Sequence, residues 1–231
     1  PSNPWPTKMD RTLIEIPEKL KFLAGPIRHL LVGAEQAMLQ SGEGRSCDYD
    51  LLEAQVADDV AAVERATHQS ILGSLDVDAP AVLIGGKRFL RVGHGPGDYH
   101  CMSGTVSVPR TLYREQGVRN GPTVDPVSLR AGVLGDGWLP RTAQAMGHDI
   151  QQGTSREAAE GNRVKCRLPY SRCSFERVGH LVGQQYQAVR VEVEDVLAEF
   201  MVLPAEAMAV SASIDRVSIP MEEPRPRPVG R

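Results

Sequence analysis

Residues 81–93 read Ala-Val-Leu-Ile-Gly-Gly-Lys-Arg-Phe-Leu-Arg-Val-Gly, AVLIGGKRFLRVG. This stretch separates a mixed fold from an all-helical one. Two β-rich flanks meet at Gly85-Gly86, and tight hairpins favour such a pair because glycine reaches positive φ without steric cost. Residues 98–115, DYHCMSGTVSVPRTLYRE, repeat the device about Ser103-Gly104. Between them GHGPG, residues 93–97, shares its composition with phosphate-binding loops but opens no helix, so it reads as a turn. A pair of hairpins, or a small antiparallel sheet, is expected over 79–125.

On the N-terminal side the pattern is helical. Leu20, Leu23, Ile27, Leu30, Leu31, Ala34 and Met38 recur at helical spacing. Gly25-Pro26 interrupts them, which favours a main helix from Pro26 to Gln40. After the loop SGEGRS, Asp50 and Glu53 fit a capping box, and Leu52, Val56, Val60, Val63, Thr67 and Ile71 carry a second stripe to Gly73. Residues 1–78 therefore read as a helical hairpin with an acidic outer face, suited to packing or self-association. Residues 1–10 hold three prolines and no periodicity, and read as disordered.

On the C-terminal side, residues 126–203 read as helical: Pro126 to Leu134, Pro140 to Gln152, and a short helix from the capping box Thr154-Ser-Arg-Glu157 to about Glu160. GNRVKCRLPY reads as a basic turn. A long helix from Ser171 carries Phe175, Val178, Leu181, Val182, Tyr186, Val189, Val193, Val196, Leu197 and Phe200 on one stripe. A short helix, a turn and a helix that opens with Arg172 and Arg177 has the layout of a helix-turn-helix, whose second helix reads bases with its first turns.

The formal net charge of −3 hides an uneven distribution. Residues 1–80 hold 7 Lys and Arg against 13 Asp and Glu; residues 81–190 hold 15 against 8; residues 191–231 hold 4 against 8. Of the 15 basic residues in the middle block 13 are Arg, whose planar fork grips phosphate through two hydrogen bonds. Arg156, Arg163, Lys165, Arg167, Arg172 and Arg177 are the candidate DNA contacts, with a solvated, internally paired face as the rival reading. No run of about 18 apolar residues occurs, so no membrane span is written here. PSNPWPTKMD has no apolar signal core, and the four cysteines form no C-x-x-C pair, so a cytoplasmic protein with reduced thiols is expected.

Near the C-terminus SASIDRVSIPMEE, residues 211–223, reads as a strand with a carboxylate at its centre. Val210, Ala212 and Ile214 share one face, and Ser211, Ser213 and Asp215 the other. The parity flips after Asp215, where a bulge or strand end re-aims a side chain. The tail PRPRPVGR reads as an extended linker.

Four phrases, taken in order, resemble the ISKra-type transposases of bacterial insertion sequences: YREQGVRNGPTVDPVSLRAGVLGDGWLP, TSREAAE, LPYSRCSFERVGHLVG and SIDRVSIPMEEPRPRPVGR. The resemblance spans roughly residues 80–231 and is weak over the first 80. It implies an RNase H-like nuclease with a DDE carboxylate triad. The family's first carboxylate sits in S-x-D-x-x-x-x-P-M, here Ser213 to Met221, which makes Asp215 the catalytic, metal-holding residue on the first nuclease strand. Two-metal phosphoryl displacement needs several carboxylates to hold a pair of Mg²⁺ ions, so Asp215 alone does not suffice. The chain ends at Arg231, before the family's second Asp and its Glu. GNRVKC also departs from the pattern, as a small deletion or frame change would.

The expected fold is thus α+β and mainly α. It combines the helical hairpin, the β-hairpin region, a helix-turn-helix-like region with one long helix, and over 204–231 an isolated first strand of an RNase H-like domain with a Pro-rich tail. The expected function is the DNA-binding part of a truncated DDE transposase. Its partner is the insertion-sequence end, self-association runs through the N-terminal helices, and Mg²⁺ belongs to the intact family rather than to this chain. The rivals are a helix-turn-helix regulator without catalytic ancestry and a remnant that folds only in part.

Overall fold

The computed structural model describes residues 15–42 and 48–200. Asp215, the strand expected around it, the Pro-rich tail and residues 1–14 lie outside them. The chain divides into two compact units, residues 1–188 and 189–231. The first spans the segments read from sequence as 1–78 and 79–125 and most of 126–203. The described chain is α+β and mainly helical, 58% helix with one three-stranded antiparallel sheet.

A 3-10 turn, Glu18–Leu23, leads into α1, Ala24–Gly42. The helix starts two residues before Pro26, because proline in a first turn costs no intrahelical hydrogen bond. α2 is Tyr49–Gly73, and its cap is Asp48, whose carboxylate accepts from the Leu51 N–H at 3.3 Å. The expected Asp50–Glu53 box is displaced: Asp50 lies inside the first turn, where its charge still favours the helix dipole.

The sheet has the order β1-β2-β3, with β1 Ala81–Ile84, β2 Lys87–Cys101 and β3 Gly104–Glu115. Gly85 and Gly86, at φ 56° and 77°, make a two-residue turn that pairs Ile84 with Lys87. The tip of the second hairpin is Met102-Ser103, and Gly104 at φ 123° takes the strained position.

GHGPG is not a turn. It lies inside β2 and pairs with β3 from Gly93 opposite Leu112 to Gly97 opposite Val108. Two prolines are tolerated there because they face each other, Pro96 opposite Pro109. His100 N–H points out of the ladder to the Gly137 carbonyl, and Thr111 N–H points out to Asp76. By the two-residue period, the nitrogens of Pro96 and Pro109 also face outward, where no ladder bond is lost. The register shifts between Arg91 and Gly93, so the strand absorbs Val92 as a bulge.

The sheet packs on α2 and on α3, Pro126–Ala131. Tyr99, Cys101, Val106 and Val108 meet Leu72, Val127 and Leu139 in a first core. A second core joins Trp138, Ala143, Met146, Ala158, Leu168, Phe175 and Val178. These residues come from α4, Pro140–Gln152, α5, Ser155–Val164, and α6, Arg172–Glu199, with their connections. α5 outruns its expected end at Glu160. Gly161-Asn-Arg-Val164 continues the helix because Asn162, though polar, is satisfied in the interior: its amide donates to Asp149 at 2.6 Å and to the Ala158 carbonyl at 2.8 Å. In the second unit, the described part of α6 carries an Arg190–Glu194 pair at 2.6 Å and exposed Val191, Val196 and Leu197.

Candidate nucleic-acid interface

α5 begins at a complete capping box. Thr154 N–H and hydroxyl both donate to the Glu157 carboxylate, at 2.8 and 2.9 Å, and Glu157 N–H returns to the Thr154 oxygen at 3.2 Å. Those bonds hold the Glu157 carboxyl below its usual pKa. The helix leaves through a turn with two residues in the left-handed region, Cys166 at φ 51° and Leu168 at φ 48°. For a side chain as bulky as Leu this conformation is strained. It is held by the second hairpin: Leu168 N–H donates to the Met102 carbonyl at 2.9 Å, and the Tyr170 hydroxyl donates to the Cys101 carbonyl at 2.6 Å. Leu168 is also fully buried in the second core.

The connection from α5 to α6 is the seven residues 165–171, about twice the three- to four-residue turn of a helix-turn-helix. Beside it, α5 and the start of α6 enclose a groove of about 500 Å³. Arg156, Arg163 and Arg172 stand around it, and Ala159, Leu168, Pro169 and Tyr170 supply its apolar lining. Three of the six Arg and Lys residues singled out from the sequence thus come together. Arg163 is paired with Glu160 at 2.6 Å. Arg172 is paired with Glu176 at 2.8 Å and donates to the Ser155 hydroxyl at 3.2 Å. The Ser155 and Arg172 donors hold the Glu176 carboxyl below its usual pKa. Arg156 is exposed and has no ion-pair partner among the described residues.

The other three go elsewhere. Lys165 lines a separate recess of about 330 Å³ with Asp149, Gln152 and Glu157. Arg167 turns back to α2 and donates to Glu64 at 2.8 Å, so it ties the turn to the helical hairpin. Arg177 is exposed, five positions after Arg172. Five positions rotate a helix by about 140° beyond a full turn. The two arginines therefore do not share a face.

Sequence reasoning missed the aromatic group beside the groove. Trp138 lies 4.2 Å from the His100 ring and 4.8 Å from the Tyr170 ring, centroid to centroid, with Tyr170 edge-on to both. Burial holds the Tyr170 phenol protonated well above its usual pKa. Burial also pushes the His100 imidazole down against the pull of Asp98, and the nearby Arg177 charge adds to the downward push. His100, Trp138 and Tyr170 are 32 to 70 positions apart, so no local signal joins them.

Sequence reasoning also missed a buried ion pair. Asp125, 7% exposed, accepts from Arg110 at 2.7 Å, from the Tyr99 hydroxyl at 3.1 Å, and from the Ser128 amide and hydroxyl at 2.7 and 2.9 Å. Asp98 and Asp136 line the adjoining recess, but Asp125 is saturated by its donors and acts as a structural anion. Among the described residues no three His, Cys, Asp or Glu side chains come together in a way that could hold a metal ion. Asp215, the residue that the resemblance assigns to Mg²⁺, is not among them. No helix of the described chain is long and apolar enough to cross a membrane.

Comparison of the chain with protein-family models, with curated proteins and with solved structures finds no match.

Proposed function

We propose that this chain is the DNA-binding part of a DDE transposase of a bacterial insertion sequence, acting in the cytoplasm on the element's ends. The reading rests on the resemblance across residues 80–231. One geometric observation supports it: Arg156 and Arg163, two turns apart on α5, and Arg172 at the start of α6 line one groove between those helices, with Glu160 also in its lining. In this reading Asp215 would, in an intact member of the family, help hold Mg²⁺ together with two further carboxylates, and the metal would supply activation of the attacking oxygen.

Binding to the element's ends and to random duplex, measured by fluorescence anisotropy across a salt series, tests the proposal. Arg156→Ala and Arg172→Ala are expected to weaken binding, and each lost phosphate contact is expected to flatten the log–log salt slope by about 0.9. Arg88→Ala, on the first hairpin, is expected to leave binding unchanged. A variant that loses a base contact instead costs roughly 1–3 kcal/mol on the element's ends alone. If the wild-type chain binds no DNA even at low salt, or if neither α5–α6 variant differs from wild type, the proposal fails.

A further inference from the structure

Resting on the DNA-binding reading, we infer that the α5–α6 groove takes one unpaired nucleotide, with the base against the Tyr170 ring and the phosphate between Arg156 and Arg172. Shape is the first argument. A duplex backbone offers charged, hydrated phosphates, which gain nothing from an apolar lining. This site is concave, and its volume of about 500 Å³ falls in the roughly 300–1,000 Å³ range of sites that enclose small ligands. Ala159, Leu168, Pro169 and Tyr170 form an apolar part of its lining, and of the parts of a nucleotide the base is the one that can use that surface.

Charge is the second argument. The lining carries three guanidinium groups against one carboxylate, Glu160, which leaves a net positive charge for an anion at the edge of the apolar surface. Arg163 and Arg172 are already oriented by Glu160 and Glu176, whereas Arg156 has no ion-pair partner among the described residues. Arg156 is therefore the group that can take a phosphate without giving up an existing pair.

Preorganisation is the third argument. The Tyr170 hydroxyl is held by the Cys101 carbonyl and its ring is wedged on Trp138 and His100, so the ring loses no rotamer freedom when a base stacks on it. The turn that presents it holds Leu168 in the left-handed region. Strain of this kind persists where the surroundings over-determine the backbone, and ligand clamps are one such place. Aromatic side chains combined with a basic track are the general means of holding unpaired nucleic acid.

The test compares a blunt duplex with the same duplex bearing a short unpaired extension, using the full chain. Wild type is expected to bind the extended duplex more tightly, within the roughly 5- to 150-fold that one base–aromatic stack supplies. Tyr170→Phe is expected to keep that preference. Tyr170→Leu is expected to lose it, so that its affinities for the two DNAs become equal. A second measurement needs no variant: 5-iodouracil placed in the extension is expected to photocrosslink to the peptide that contains Tyr170. Equal affinity for both DNAs, or crosslinking only to peptides outside residues 156–172, overturns the inference and leaves the DNA-binding reading standing. Absence of binding to either DNA overturns both. Displacement of the extended duplex by an acidic peptide at equal charge also overturns it, because the groove would then be selecting anions rather than bases.

Discussion

Asp125 is held by four donors and is largely buried, and a carboxylate so placed is costly to disturb. Asp125→Ala strands the half-buried Arg110 guanidinium, whose Nε already lacks a partner. Breaking such a pair costs about 3–5 kcal/mol, read as a lowered denaturation midpoint at unchanged slope. Gly97 belongs to the same unit. A Cβ there would stand 2.5 Å from Arg110 Nε, so Gly97→Ala pushes the guanidinium off Asp125. The two changes remove one interaction, and their combined loss is expected to fall well short of additive in a double-mutant cycle. His100 sets a different signature. Its folded pKa lies below the ordinary value near 6.5, so the folded state prefers the neutral ring and the unfolded chain binds the proton more readily. This contribution is complete above about pH 6.5 and is lost as pH falls through the folded value. Melting temperature is expected to decline between pH 7 and pH 5, and His100→Gln is expected to flatten that decline. Asp98, Asp136, Arg177 and the Thr105 hydroxyl at 2.9 Å are the groups that face the ring, and none is altered by the substitution.

Among the elements, those whose cause is local are legible in sequence. Gly85-Gly86 is readable because only glycine takes two successive positive φ values cheaply, and Thr154 is readable because its partner Glu157 is three residues away. α4 is readable from Pro140 onward for the same reason. GHGPG misleads because composition carries no information about pairing, and Pro96 is acceptable in the strand because the register turns its nitrogen away from β3. Asn162 misleads likewise: a polar residue after Glu160 suggests a helix end, and Asp149, 13 positions away, is what makes burial tolerable. The groove stands between these cases. Its arginines are readable as a basic cluster, whereas Tyr170 joins them only through the hairpin tip. The cap of α5 offers a direct check. Thr154→Ala is expected to cost about 1 kcal/mol of stability. The Glu157 carboxyl is depressed by that cap, so its contribution is present above the ordinary Glu pKa of about 4.3 and fades as pH falls through the lower folded value. Acid titration of the Thr154→Ala chain is therefore expected to show a smaller loss below pH 4 than wild type shows.

Within residues 1–188 the two helices of the N-terminal hairpin have unequal roles. α2 contributes Leu72 to the first core, and donates from Arg65 to the Ser103 carbonyl at 2.8 Å and from Gln69 to the Ser107 carbonyl at 2.9 Å. α1 contributes no residue to either core, and His29 meets Asp59 of α2 at 2.8 Å. A chain lacking residues 1–42 is expected to melt cooperatively, whereas one lacking residues 1–78 is expected to lose cooperative melting, because the sheet then has an uncovered apolar face. Calorimetry of the two truncations distinguishes these outcomes, and a cooperative transition in the shorter chain would contradict the assigned role of α2. The hairpin tip has a consequence for synthesis. Met102 and Cys101 accept their bonds from Leu168 and Tyr170, the latter 69 positions later in the chain. A ribosome delivers about 5–20 residues per second, so the roughly 60 residues between Glu115 and Val178 need about 3–12 s. For that interval the nascent sheet is complete, but Met102, and Trp138 once it is made, lack the partners that Leu168, Phe175 and Val178 bring to the second core. A chaperone that samples emerging apolar surface has its opportunity there, and a ribosomal pause placed after residue 115 would lengthen it.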